Sequence, residues 1–120
     1  MKRAVFVAAL AALACGAGSA QAQKVGGSYQ VEGTNLDGSP YHGTAVITRT
    51  SNSTCRIRWK VGNPSDGFCM LAGRSFAAAY QLQGSVGLIV YEVQDDGTLR
   101  GVWTIADRSG AGTEVLTPND

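Results

Sequence analysis

The sequence predicts an all-β protein, a small antiparallel meander of about eight strands closed into a barrel. Three observations support this prediction. Apolar and polar residues alternate with period two along most of the chain beyond residue 22, no window there keeps a helical period, and Gly, Asp, Asn, Ser and Pro interrupt the alternation at short intervals. A two-sheet β-sandwich is the alternative architecture.

Each strand has its own pattern. The first places Tyr29 and Val31 against Gln30 and Glu32, and the third, CRIRWKV from Cys55, has Cys, Ile, Trp and Val on one face and Arg, Arg and Lys on the other. The fifth and seventh alternate in the same way, whereas SVGLIVYEV is apolar at most positions, as in a strand that is covered on both sides or tightly curved. The predicted strands are 27–34, 41–50, 54–61, 67–73, 75–83, 86–94, 98–106 and 112–117.

The connections are too short to hold crossover helices, so neighbouring strands are expected to pair antiparallel. Asp37-Gly38 and Asp96-Gly97 are typical of tight turns. Closure into a barrel leaves no open sheet edge, and the chain's 16 glycines, many of them inside strand patterns, suit a tightly bent sheet.

The first 22 residues have the pattern of a secretory signal peptide. Met1-Lys2-Arg3 is cationic, an apolar run follows, and Ala20-Gln21-Ala22 supplies the small residues that signal peptidase requires, which predicts cleavage after Ala22. "ALACG" loosely resembles a lipobox, so lipidation of Cys15 is the alternative. We therefore expect residues 1–22 to be removed and residues 23–120 to form one exported domain, periplasmic or extracellular.

Composition narrows the possible partners of this domain. Residues 23–120 carry eight Lys and Arg against nine Asp and Glu, which gives no electrostatic basis for binding nucleic acid or an anionic membrane surface. No apolar run is long enough for a transmembrane helix.

Two cysteines, Cys55 and Cys69, remain after the signal peptide. Neither a zinc motif nor a Cys-x-x-Cys redox motif is present, and an even number of cysteines in an exported domain predicts a disulfide. A hairpin centred on residues 64–66 would set Cys55 opposite a residue near 74, so the bond requires a bulge, a bent strand or a turn nearer Gly62-Asn63.

The sequence indicates no catalytic residue, metal ligand or cofactor. The one histidine, His42, is expected on an outward face. The turn aspartates are explained by local hydrogen bonding, and Glu32, Glu92 and Glu114, the glutamates within strands, form no acid–base pair. We therefore expect a protein that is not an enzyme.

Two sets of residues are candidates for binding. Arg56, Arg58 and Lys60 form a cationic stripe on one strand face; a solvated strand is the simpler interpretation, and partner binding is the functional one. The second set consists of the aromatic residues on predicted inward faces, which are expected to fill the core, with the lining of a ligand cavity as the alternative: Tyr29, Trp59, Tyr80 and Trp103.

Seven segments across nearly the whole exported domain resemble small exported alphaproteobacterial proteins known as fibronectin-binding proteins. The segments are VEGTNLDGSPYHGTAVIT, TCRIRW, GFCM, FAAAYQL, VGLIVYEV, DGTLRGVWTIA and GAGTEVLTP. The resemblance implies an adhesive or partner-binding role but supplies no binding motif. A second resemblance, of architecture only, is to calycins, avidin-like and lipocalin-like ligand binders and single-disulfide bacterial protease inhibitors.

The functional prediction is therefore an exported, non-enzymatic protein that binds a protein partner, such as fibronectin or another matrix protein, through its surface. The first alternative is a calycin-like small-ligand binder, which predicts an interior cavity bordered by Trp59 and Trp103. The second is a periplasmic protease inhibitor that inserts a loop or a terminus, such as the final TPND, into an active site.

Overall fold

The computed structural model describes residues 25–119, which form a closed barrel of eight antiparallel strands in chain order. The strands are β1 (Gly27–Thr34), β2 (Pro40–Arg49), β3 (Thr54–Val61), β4 (Asn63–Ala72), β5 (Ser75–Leu82), β6 (Ser85–Val93), β7 (Leu99–Ile105) and β8 (Gly112–Pro118). The predicted all-β barrel is confirmed. The proposed signal peptide and Cys15 lie outside the described residues.

The barrel closes because β8 pairs with β1 as well as with β7. Val31 lies opposite Leu116 across this seam, and Leu99 lies opposite Leu116 on the other side. Every strand therefore has two hydrogen-bonded neighbours, and the alternative β-sandwich is excluded. The described part of the chain contains no helix that is long and apolar enough to cross a membrane.

The β3–β4 hairpin corrects one predicted boundary. The turn lies at Gly62, whose φ of +71° is accessible to glycine at little cost, so β4 begins at Asn63 and not near residue 67. This turn pairs Cys55 directly with Cys69, with their Cα atoms 5.0 Å apart, and the two are joined by a disulfide. Of the routes left open by the sequence, the structure uses the turn at Gly62-Asn63.

One half of the barrel interior is solidly packed. At the end where the described residues begin and finish, which also holds the β2–β3, β4–β5 and β6–β7 turns, Val25 is buried beside the core. The Phe76 and Tyr91 rings stack with their centroids 4.8 Å apart, and the disulfide sulfurs are fully buried. These residues fill the interior at this end.

Glycines opposite aromatic residues make room for large rings inside this narrow barrel. Four such cross-strand pairs are present: Tyr80 with Gly87, Trp103 with Gly112, Tyr41 with Gly33 and Tyr91 with Gly101. In each pair, a Cβ added to the glycine would lie within 3.0 Å of ring atoms of its partner. The glycine therefore lets the ring lie flat across the neighbouring strand and form the barrel's inner wall.

Candidate functional site

The second half of the barrel contains a cavity of about 150 Å³. It lies toward the end formed by the β1–β2, β3–β4, β5–β6 and β7–β8 turns and is partly open to solvent there. Four aromatic side chains and one carboxylate line the cavity, and two asparagines, Asn35 and Asn63, lie at its rim. The aromatic residues and the carboxylate are Tyr41, Trp59, Tyr80, Trp103 and Glu114.

The aromatic walls consist of two edge-to-face pairs. Trp59 meets Tyr80 with ring centroids 5.3 Å apart and planes at 63°, and Tyr41 meets Trp103 at 6.3 Å and 64°. This is the preferred arrangement for aromatic rings, since the positive edge of one faces the negative face of the other. The pairs fix the walls before any ligand arrives.

Glu114, on β8, is the buried carboxylate at the inner end of the cavity, and it is only 5% exposed. Its Oε1 accepts a hydrogen bond from the Tyr41 hydroxyl at 2.7 Å. Its Oε2 accepts one from Trp59 Nε1 at 2.9 Å and a second, very short one from the Tyr91 hydroxyl. Hydrogen bonds of this number and kind are what a buried carboxylate requires in place of water.

The tyrosines around Glu114 stay protonated far into the alkaline range. Burial, followed by the negative charge of Glu114, raises the pKa of Tyr80 to about 12. The same two causes, together with the hydrogen bond to Glu114, raise the pKa of Tyr41 and Tyr91 well above the ordinary value. At neutral pH these phenols are protonated, and Tyr41 and Tyr91 therefore donate their hydrogen bonds to the Glu114 carboxylate.

Trp103 Nε1 is the exception among the polar atoms of the site. Within residues 25–119 it is the buried side-chain nitrogen that lacks a hydrogen-bond partner. Its ring lies against Gly112 on one side and Tyr41 on the other. An unsatisfied buried donor costs roughly 1–3 kcal/mol, and a water molecule or a polar ligand atom in the cavity would remove that cost.

Three of the four aromatic residues singled out from the sequence meet at this cavity, since Trp59, Tyr80 and Trp103 all line it. The fourth, Tyr29, lies in the packed half, where its hydroxyl accepts a hydrogen bond from the Gly26 amide. The aromatic set therefore divides into one core residue and three residues that both pack and line the cavity.

The cationic stripe lies on the outside of the barrel, away from the cavity. Arg56, Arg58 and Lys60 are all exposed on β3. Arg58 forms a bidentate ion pair with Asp66 on β4, with Nε to Oδ1 at 2.9 Å and Nη2 to Oδ2 at 3.2 Å, so the stripe is partly neutralised. His42 is exposed on β2, as expected.

Sequence reasoning missed Glu114 and Tyr41 as parts of the site. Glu114 was recognised as a strand carboxylate without a role. It alternates with Gly112 and Leu116, both of which are buried, and this pattern is the signal that places its side chain inward. Tyr41 alternates with the inward Ala45 and Ile47 at the same spacing. No group of three or more potential metal ligands is present within the described residues.

The chain matches no protein-family model and no curated protein. Solved structures are similar to it in fold. A redesigned β-barrel, mFAP1, bound to DFHBI, superposes with a TM-score of 0.69 at 19% identity and covers 82% of this chain and 98% of its own. A de novo designed fluorescence-activating β-barrel gives a TM-score of 0.63 at 18% identity, over 82% and 96%.

A natural protein is also similar to the chain. A point mutant of the fluorescent protein UnaG superposes with a TM-score of 0.53 at 13% identity and covers 82% of this chain and 98% of its own. At these identities the likeness shows the fold alone. The common fold is a small, closed, antiparallel barrel.

Proposed function

We propose that this protein is an exported, non-enzymatic binding protein that holds a small ligand in the open end of its barrel. The observation that carries the proposal is the cavity itself, which is walled by aromatic side chains and has a single buried carboxylate at its inner end. Binding sites in small proteins are typically concave and apolar, with a few polar groups that fix the orientation of the ligand.

The size of the cavity limits the ligand. A dry cavity of similar volume in an unrelated protein accommodates benzene, so about 150 Å³ admits one ring or a short branched chain. The opening lets a longer ligand extend past Asn35 and Asn63 into solvent. The redesigned β-barrel mFAP1, which is similar to this chain in fold, is bound to DFHBI in its own structure.

Export is supported by the disulfide, because such bonds persist in oxidising compartments. The ligand would then be met in the periplasm or outside the cell. In this proposal Glu114 has a binding role, since its carboxylate is held by three protein donors.

The test is a binding screen with the oxidised domain, residues 23–120, and benzene-sized compounds. Both tryptophans of the chain line the cavity, so a ligand there changes the intrinsic fluorescence and raises the unfolding temperature. Ser65→Leu fills the cavity from β4 and should abolish binding. Ser75→Leu, the same change at an exposed position on β5, is the matched control. Binding that survives Ser65→Leu but not Ser75→Leu would place the ligand elsewhere.

Binding of a protein partner is the second candidate function, and the outer wall of β4–β7 favours it. Phe68, Met70, Leu88, Val90 and Val102 point outward and are each 54–57% exposed. Met70, Val90 and Val102 lie in one row across the sheet, joined through Ala77. A contiguous apolar surface of this kind is typical of an interaction site.

The chemistry of the outer wall favours a partner with an apolar strip bordered by acidic residues. Arg56 pairs across the sheet with Phe68, and neither Arg56 nor Lys60 forms a salt bridge within residues 25–119. Fibronectin, which the family resemblance implies, is the first partner to test. A pull-down with the wild-type domain, the Arg56→Glu/Arg58→Glu/Lys60→Glu variant and a Val90→Ser/Val102→Ser variant examines both halves of the surface. Equal retention of fibronectin by all three proteins, or by none, would remove the outer wall from the account.

A further inference from the structure

We infer that the ligand of the cavity is a small organic cation, such as a protonated amine on an apolar body, with Glu114 as its counter-charge. This inference rests on the proposed ligand-binding function and names the class of ligand. Three properties of the site support it: the sign of its charge, the hydrogen-bonding capacity of the carboxylate and the nature of its walls.

The charge at the site is the negative charge of Glu114, and no cationic side chain among residues 25–119 forms a salt bridge with it. Glu114 is the only charged residue among those that line the cavity, and no Lys, Arg or His of the described chain is among them. The salt bridges within residues 25–119 join other groups, Arg58 with Asp66 and Arg74 with Asp95, both on the surface. A buried charge is costly unless it is paired, and a cationic ligand would supply the missing partner.

The carboxylate also retains capacity for another donor. A carboxylate offers about four acceptor positions, and Glu114 uses three of them: two on Oε2 for Trp59 and Tyr91, and one on Oε1 for Tyr41. The three protein donors hold the side chain in place. An ammonium group, which has three N–H donors and no acceptor, matches the remaining position on Oε1. An anion would face like charge there, and a neutral acceptor would find no donor on the carboxylate.

The walls suit a cation as well. Aromatic faces carry negative electrostatic potential and attract ammonium groups within about 6 Å of the ring centre, most strongly on tryptophan. The cavity presents Trp59, Trp103, Tyr41 and Tyr80 around the carboxylate. Because all four rings are held by glycine pairs or by one another, the walls need little rearrangement to receive the ligand. A neutral aromatic compound would use the walls but would leave the carboxylate unpaired.

The experiment compares three probes of nearly equal shape by isothermal titration calorimetry at pH 7 with the oxidised domain. Benzylamine is a cation, benzyl alcohol is neutral and benzoate is an anion. A charged hydrogen bond exceeds a neutral one by an amount equivalent to roughly tenfold in affinity, so benzylamine should bind about tenfold more tightly than benzyl alcohol, and benzoate should bind most weakly. Glu114→Gln should reduce the ratio between benzylamine and benzyl alcohol to about one. Glu32→Gln, at an exposed position on β1, should leave it unchanged.

The outcomes separate the two proposals. Binding of benzyl alcohol as tight as that of benzylamine to the wild-type domain would overturn the cation inference and leave ligand binding intact. A preference for benzylamine that persists in Glu114→Gln would also overturn it, since the charge would then lie elsewhere. If none of the probes binds and the wild-type domain has the same unfolding temperature with and without them, the proposed function itself fails. The wild-type ratio decides the question even if Glu114→Gln does not fold.

Discussion

Replacing Glu114 with leucine tests whether the carboxylate organises the interior of the barrel. Leucine has a similar length and no acceptor, so the hydrogen bonds from Trp59 Nε1, the Tyr91 hydroxyl and the Tyr41 hydroxyl are all lost. The Tyr41 hydroxyl can turn to the Thr113 carbonyl, which lies 3.3 Å away. Within residues 25–119, Glu114 Oε2 is the acceptor that both Trp59 Nε1 and the Tyr91 hydroxyl use.

The size of the stability loss follows from the two buried donors that lose their acceptor, Trp59 Nε1 and the Tyr91 hydroxyl. An unsatisfied buried donor costs roughly 1–3 kcal/mol, which gives about 2–6 kcal/mol for the pair. Removal of the buried charge and burial of the leucine methyl groups return about 1–3 kcal/mol. We therefore expect Glu114→Leu to lower the free energy of unfolding by about 2 kcal/mol. Glu114→Gln should lose less, because its amide oxygen can still accept from Trp59 and Tyr91.

Urea unfolding of the oxidised domain, followed by circular dichroism, measures these differences. The predicted order of stability is wild type, then Glu114→Gln, then Glu114→Leu, with Glu32→Leu on the exposed face of β1 close to wild type. A Glu114→Leu protein as stable as wild type, or more stable than Glu114→Gln, would show that the hydrogen-bonded carboxylate does not hold the interior together.

Three further predictions concern the walls, the tyrosines and the disulfide. Gly87→Ala should lower the free energy of unfolding by roughly 1–3 kcal/mol, because its Cβ would overlap the Tyr80 ring. Ser85→Ala, at an exposed position two residues earlier in β6, should change little in the same urea assay. The pKa of every one of the four tyrosines is raised, chiefly by burial, so the native protein should show almost no tyrosinate absorbance at pH 10, where the tyrosines of the urea-unfolded chain are half ionised. Since the folded pKa values are the higher ones, this contribution to stability is complete below the unfolded pKa and is lost as the pH rises through the folded pKa values. Ionisation of the native protein at the pH of the unfolded chain would contradict the buried network. Changing Cys55 and Cys69 together to serine should cost about 3 kcal/mol through the loop they close, and a double variant of unchanged stability would contradict the stapling role.

The sequence was sufficient to predict the barrel and not sufficient to predict its site. Period-two alternation reports which face of a strand is buried, and this was enough to place Trp59, Tyr80 and Trp103 inside and Arg56 outside. The start of β4 was misplaced because Pro64 and Asp66 look like turn residues. Both lie instead within β4: Pro64 is its second residue, beside the turn, and Asp66 is exposed and pairs with Arg58.

The division of the interior into a packed half and a hollow half depends on register, which the sequence alone does not supply. Tyr41 shows why: it pairs with Gly33 within the β1–β2 hairpin, but it meets Glu114 only after β8 closes on β1. A glutamate between two inward residues was the visible clue. Its role could not be predicted from the sequence, because the three side chains that donate hydrogen bonds to it come from β2, β3 and β6 and meet only in the closed barrel.

The most direct test of ligand binding in the open end follows the two indole N–H signals of the nitrogen-15-labelled domain by NMR during titration with benzylamine. Both tryptophans line the cavity: Trp59 Nε1 is hydrogen-bonded to Glu114, and Trp103 Nε1 has no hydrogen-bond partner among residues 25–119. We predict that both signals shift together and saturably, and that the shifts disappear in Ser65→Leu. Unmoved indole signals, with changes confined to the outer wall of β4–β7, would contradict the account.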